Sequence, residues 1–387
     1  MNSLITQAQK YYSTIKALRH AIHEEPELGF EEFKTAEKVK TFLDSIGVDY
    51  VDGVAKTGIV ATIKGKFPGK TILLRADMDA LAMDEDPHHV LKSKVKGKMH
   101  ACGHDGHTAG LCLAAALLHE NKALLHGEVR LMFQPAEETL GGAQPMIEAG
   151  VTQGVDMAFG AHLWGSLEEN HVQVKVGAMM AAPDAFKLVV KGKGGHGAMP
   201  HMCIDPIVIA SSIVVNAQSI VSRSVNPLDQ AVLTFGQING GSAFNVIPNE
   251  VTLIGTIRTF SQAVRDLIPT KLEALAKGIA HAHGGDVEFT YEPKYPVLIN
   301  DEEAVHHSAQ SFKKIVGESN VHYLEEPNMG GEDFAYISQV VPSSFIYVGI
   351  KKDQDIIHHH PSFEWDDHNL IPLGCGLAQC ALDALTE

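Results

Sequence analysis

Short apolar runs at Gly58 to Ile63, Thr71 to Leu74, Val129 to Phe133 and Met157 to Gly160 alternate with helical patterns, and this alternation restricts the fold more than any other feature of the chain. Alternating β and α elements imply an α/β fold with a doubly wound, mostly parallel sheet. Such a sheet gathers ligands beyond the carboxyl ends of its strands. Polar residues stand at those ends here. Leu74 runs into Arg75-Ala76-Asp77-Met78-Asp79, Phe133 into Gln134-Pro135-Ala136-Glu137-Glu138, and Gly160 into Ala161-His162. A late strand at Ser344 to Val348 leads to His358-His359-His360, which Pro361 marks as a fixed loop. Ahead of the first strand, Leu4 to Gly47 reads as two amphipathic helices broken at His23 to Phe30 by Pro26 and Gly29.

Between about Pro183 and Pro293 the pattern changes to strand, helix, strand, strand, helix, strand: Ala185 to Lys191, Ile204 to Ser222, Ala231 to Ile238, Val246 to Ile257, Val264 to His283 and Val287 to Tyr291. That order is a ferredoxin-like α+β unit. The expected domains are therefore a discontinuous one at 1–182 and 294–387 and an inserted one at 183–293. A chain of 387 residues with net charge −16 argues against nucleic acid and anionic membrane as partners. The first residues lack a basic flank followed by an apolar segment, and no later stretch is expected to be long and apolar enough to span a bilayer, so the expected location is cytoplasmic. Five scattered cysteines fit reduced thiols.

The densest chemistry lies in Met99-His100-Ala101-Cys102-Gly103-His104-Asp105-Gly106-His107, which packs a thiol, three imidazoles and a carboxylate into nine positions. An apolar helical run, Ala109 to Leu118, follows with Asp105 or Thr108 available as its cap, so the helix start and a bound cation are expected to stabilise a Cys102 thiolate. Together the strand ends supply Asp77, Asp79, Cys102, His104, Glu137, Glu138, His162 and a late histidine, more than one structural zinc uses and about what two ions ~3.5–4 Å apart require. Side chains diverge along extended chain, so one of Glu137 and Glu138 can ligate while the other serves as general base. In the inserted unit, glycines around His196 allow close approach, and His196 can donate to a developing oxyanion. Asn245 and Arg258 give weaker signals, Arg258 suiting bidentate capture of a substrate carboxylate.

The segments His23 to Leu28, Arg75 to Leu81, Met99 to Asp105, Gln134 to Glu138, Gly194 to Ala198 and Phe244 to Pro248 resemble, in order, the M20 metallopeptidase family. The branch they resemble contains hippurate hydrolases, N-acyl-amino-acid deacylases and auxin-conjugate hydrolases. The resemblance implies two divalent ions per subunit (Zn, Mn, Co or Ni) held by Cys102, His104, Glu138, His162 and a late histidine, which the family's His-x-Pro pattern places at His359. It implies Glu137 as general base, His196 as oxyanion donor, Asp79 in support, and Asn245 with Arg258 on the substrate, while Asp77 stays outside the ligand set. It also implies a lid that dimerises, giving a homodimer or dimer-based oligomer. The implied reaction is metal-dependent hydrolysis of a small N-acyl-L-amino acid, hippurate-like acylglycines leading. The alternative substrates are N-acetyl-diaminopimelate or another N-acetyl amino acid, or a small peptide cut as by a carboxypeptidase.

Overall fold

A computed structural model describes residues 3–139 and 141–386. The chain forms two compact units: a larger one made of the residues up to Met179, Ile299–Glu326 and those from Asp333 onward, and a smaller one made of Met180–Leu298 with Pro327–Glu332.

The N-terminal region holds three helices where two were expected: α1 (Leu4–Ala8), α2 (Tyr12–Glu24) and α3 (Phe33–Ile46). The larger unit continues through β1 (Asp49–Val54), β2 (Gly58–Lys64), β3 (Phe67–Asp77), α4 (His104–Glu120), β4 (His126–Gln134), β5 (Met157–Glu168) and β6 (Val172–Val174). Two local expectations are corrected. Helix α4 starts at His104 behind a left-handed Gly103, so neither Asp105 nor Thr108 caps it. Both face inward instead: Asp105 accepts from Arg19 Nε at 2.7 Å and His23 Nδ1 at 2.9 Å, and Thr108 Oγ1 donates to the Asp77 carbonyl at 2.7 Å. Strand β5 does not end at Gly160; parallel pairing carries it past His162.

The smaller unit contains β7 (Ala182–Lys191), β8 (Gly195–His196), α5 (Pro206–Ser224), β9 (Ala231–Gly240), β10 (Val246–Ile247), β11 (Glu250–Thr259), α6 (Gln262–Ala282) and β12 (Asp286–Glu292). Its main sheet has the order β9-β11-β7-β12, antiparallel throughout, which is the ferredoxin-like arrangement. The strand expected over Val246 to Ile257 is split at Pro248, which has no N–H for a ladder, and β10 pairs separately with β8. Helix α5, at 19 residues, is long and apolar enough to cross a membrane by length and composition alone, which corrects the expectation that no stretch is. It packs Ile209, Ile213, Ala217 and Ile220 into the core of this unit, while Ile207, Val208 and Val215 stay exposed.

The chain returns to the larger unit through α7 (Glu302–Val316), β13 (Val321–Tyr323), β14 (Ser343–Lys351) and α8 (Leu370–Thr386). The eight-stranded order is β1-β2-β4-β3-β5-β14-β6-β13, with the central four strands β4, β3, β5 and β14 parallel. Parallel strands buried on both faces need continuous apolar runs, and β14 is buried along nearly its whole length. Helix α4 is likewise almost wholly buried, and it packs against α8 inside the same apolar core. All five cysteines are free thiols.

Candidate active site

Three adjacent parallel strands deliver the site. β3 ends at Asp77 and leads to Asp79, β4 leads to Glu137 and Glu138, and β5 carries His162. Cys102 and His104 arrive at the start of α4. Ligand atoms of Cys102, His104 and His162 lie within 4.8 Å of one another, as do those of Cys102, Glu138 and His359 and those of His104, Glu137 and Glu138. Each of Cys102, His104 and Glu138 belongs to two of these groups, the sharing that two adjacent cations require.

Hydrogen bonds set the direction of each candidate ligand. His104 Nδ1 donates to the Asp79 carbonyl at 2.9 Å, and His162 Nδ1 donates to the Leu163 carbonyl at 2.7 Å, leaving both Nε2 atoms for the centre. His162 Nε2 lies 3.4 Å from Cys102 Sγ. Asp79 holds the glutamate turn: Oδ1 accepts from Glu137 N and Oδ2 from Glu138 N, each at 3.0 Å. In the late loop, His359 Nε2 reaches Glu138 Oε1 at 3.0 Å, and a positive φ of 56° with an N–H donated to the Ala101 carbonyl fixes its backbone. His358 Nδ1 sits 3.8 Å from Cys102 Sγ while its Nε2 accepts from Gly165 N, and the exposed His360 binds Ser362 Oγ.

The donors fit a divalent cation. His104 Nε2 is buried without a hydrogen bond, and its nearest anions, Asp77 Oδ2 at 3.6 Å and Glu138 Oε1 at 3.8 Å, stand too far for one. Burial works against charge on His104, yet Asp77, Asp79 and Glu138 together push its pKa up to about 10, a measure of how negative the centre is. Burial, then the Glu138 and Glu137 carboxylates, raise the Cys102 thiol well above its ordinary value. The helix start alone therefore does not lower the Cys102 pKa, and the expected thiolate depends on the cation half of that expectation. His162 is held neutral by burial and by the neighbouring His107 and His358.

Sequence reasoning missed the buried support beneath these candidate ligands. Asp77 is engaged by His107 Nδ1 at 2.6 Å and Arg75 Nη1 at 2.8 Å. Burial opposes its charge, but His104, Arg75 and His107 hold its carboxyl well below the usual range. Arg75 Nη2 continues to Asp333 Oδ1 at 2.8 Å, and Asp333 N donates to Glu137 Oε1 at 3.3 Å. Position 333 is 258 residues from Arg75, so no local signal marks it.

In the smaller unit, β8 and β10 bring His196 opposite Val246, and Gly197 N donates to the Asn245 carbonyl at 2.8 Å. Both His196 and Asn245 are exposed. Arg258 stands apart from them at the far end of β11, about 26 Å along the strand from Glu250 at ~3.3 Å per residue. Its half-buried guanidinium leaves Nη1 without a hydrogen bond.

This fold and site define a class. Residues 73–373 match the model of peptidase family M20/M25/M40, and the chain belongs to that family. It is similar to a hippurate hydrolase of Campylobacter jejuni, 38% identical over 385 residues that cover 99% of this chain and 100% of the relative. Equally, it is similar to an N-acetylcysteine deacetylase of Bacillus subtilis, 38% identical over 376 residues that cover 97% and 98%. Among solved structures, a Bacillus subtilis protein described as a dinuclear metal-binding peptidase of family M20 superposes with a TM-score of 0.84 at 34% identity, covering 97% of this chain and 99% of that one.

Proposed function

We infer that this protein is a metal-dependent hydrolase that cleaves the amide bond of small N-acyl-L-amino acids to a carboxylic acid and a free amino acid. The observation that carries this reading is one turn presenting two carboxylates side by side to a buried Cys/His cluster. Glu138 turns toward His104 and His359, and Glu137 belongs to a second group with His104. We assign Cys102, His104, Glu138, His162 and His359 to two divalent ions, a mixed donor set that suits Zn, Mn, Co or Ni. Such ions, when bound, polarise the acyl carbonyl and acidify water. Glu137 takes the proton of the attacking water and returns it to the leaving amine, and Asp79 holds Glu137 and His104 for that transfer.

The smaller unit is proposed as the lid and dimerisation domain. His196 supplies the oxyanion donor, Asn245 a contact beside it, and Arg258, with its unengaged guanidinium nitrogen, a hold on the substrate carboxylate. The separation of Arg258 from His196 and Asn245 within one chain supports a homodimer in which the two ends serve different sites. The exposed Ile207, Val208 and Val215 of α5 supply apolar surface for it. The proposed location is cytoplasmic. Equal similarity to relatives named for hippurate and for N-acetylcysteine supports the class of substrate more than its acyl group, and the second reading is an N-acetyl amino acid deacetylase.

A panel of hippurate, longer N-acyl glycines, N-acetylcysteine, N-acetyl-diaminopimelate and dipeptides tests this reading through free amino acid released. Aromatic acylglycines should give the highest kcat/KM, and a ranking led by N-acetyl substrates selects the second reading. Release from none of them removes the proposal. The same preparation should sediment as a dimer, and a fully active monomer would remove the shared-site arrangement.

A further inference from the structure

The turn carrying Glu137 and Glu138 is gripped through three backbone N–H groups, one of them held by the chain segment after α2. Ala136 is fully buried and left-handed, φ 54°, a conformation that strains a non-glycine residue and persists only where surroundings enforce it. Three consecutive N–H groups of this turn end on carboxylates. Glu137 N and Glu138 N go to Asp79, and Ala136 N donates to Glu32 Oε1 at 2.9 Å. Successive N–H groups around a left-handed residue form an anion-binding concavity, which two of the protein's own side chains fill here.

Glu32 is itself fixed. It is wholly buried, Oε1 also accepts from Phe30 N at 3.0 Å, and Oε2 accepts from Thr57 Oγ1 at 2.6 Å. Gly29 completes the fit: a Cβ there would stand 2.4 Å from Thr139 Oγ1 and 3.0 Å from Ala136 Cβ. The segment Gly29 to Glu32 is thus moulded onto a turn about a hundred residues further along the chain.

We propose that Glu32 is a positioning residue for the hydrolysis, pinning Ala136 in its left-handed conformation so that Glu137 and Glu138 diverge toward their separate tasks. Without that acceptor the Ala136 N–H is buried and unsatisfied, the residue relaxes toward negative φ, and both glutamates rotate. The proposal rests on the hydrolase reading, and its test separates the two by measuring cobalt(II) affinity as well as turnover.

Glu32→Gln retains the grip, because the amide oxygen accepts from Ala136 and Phe30 while the amide nitrogen donates to Thr57 Oγ1. It should keep kcat and cobalt affinity near wild type. Glu32→Ala should lower kcat by about 100-fold with KM little changed, the size of loss that a 1 Å misplacement causes. Its cobalt affinity should fall by about 10-fold through the displaced Glu138. Glu32→Asp, one methylene shorter, withdraws the acceptor from the Ala136 N–H; it should weaken cobalt binding in the same direction, and it carries the test if Glu32→Ala does not fold. Wild-type cobalt affinity in Glu32→Ala, or in Glu32→Asp should the former be insoluble, would overturn the proposal. So would a Glu32→Gln protein no better than Glu32→Ala. If wild type cleaves no N-acyl amino acid, the hydrolase reading fails while the order of cobalt affinities still decides the role of Glu32.

Discussion

Three buried histidines of the larger unit titrate over a wide range because different groups face them. His100 has no hydrogen bond to either ring nitrogen, and burial drives its pKa down to about 3. At His104, carboxylates overcome burial and push it up to about 10. At His23 burial also opposes the charge, but Nδ1 donates to Asp105 at 2.9 Å and Nε2 to Glu85 at 3.0 Å, pushing it up to about 9. A folded-state pKa above the unfolded value near 6.5 means that the His23 charge contributes stability fully below about pH 6.5 and loses it as pH rises through about 9. The contribution is on the order of 3 kcal/mol. Unfolding of wild type and His23→Gln between pH 6 and 10 should show a gap that is widest at the acid end and closes by about pH 10; a constant gap would contradict this. The residue types of the candidate site were legible in the sequence because Cys102, His104, Glu137 and Glu138 are clustered locally. Their supports were not: Asp105 pairs with Arg19 and His23, more than eighty residues away, and Glu32 pairs with Ala136 across a still longer separation.

Among the elements, α4 and α8 cross through glycines. A Cβ on Gly374 would stand 2.8 Å from the Gly110 carbonyl oxygen, and one on Gly110 would stand 2.6 Å from Leu373 Cδ2. Alanine in a helix interior gains about 1 kcal/mol over glycine from propensity alone. The clash must move two buried helices apart, and overpacking of this kind costs about 1–3 kcal/mol, so the clash wins. Gly374→Ala should therefore lower the denaturant midpoint; an unchanged or raised midpoint would show that the two helices are not in close contact. Periodicity revealed the parallel sheet and the order of elements in the smaller unit, since repeats of 2 and 3.6 are local. It could not show where α4 begins, because its first turn is polar yet buried against distant partners. Nor could it show that β5 continues through His162, since pairing with β14, not composition, sets that end. The exposed half of α5 escaped for the opposite reason: an apolar sequence does not say which side is covered.

At the scale of the molecule, a sheet whose adjacent strands carry Asp79, Glu137, Glu138 and His162 to one place gathers carboxylates that Arg75 and His104 balance only in part, which favours bound cations. The most direct test is release of free amino acid from hippurate and N-acetylcysteine by chelated protein, by the same protein restored with Mn or Zn, and by metal-loaded Glu137→Gln. Turnover should vanish after chelation and recover with metal, and Glu137→Gln should lose about 100-fold or more in kcat at unchanged metal content. Turnover that survives chelation, or a Glu137→Gln protein as fast as wild type, would contradict the hydrolase reading.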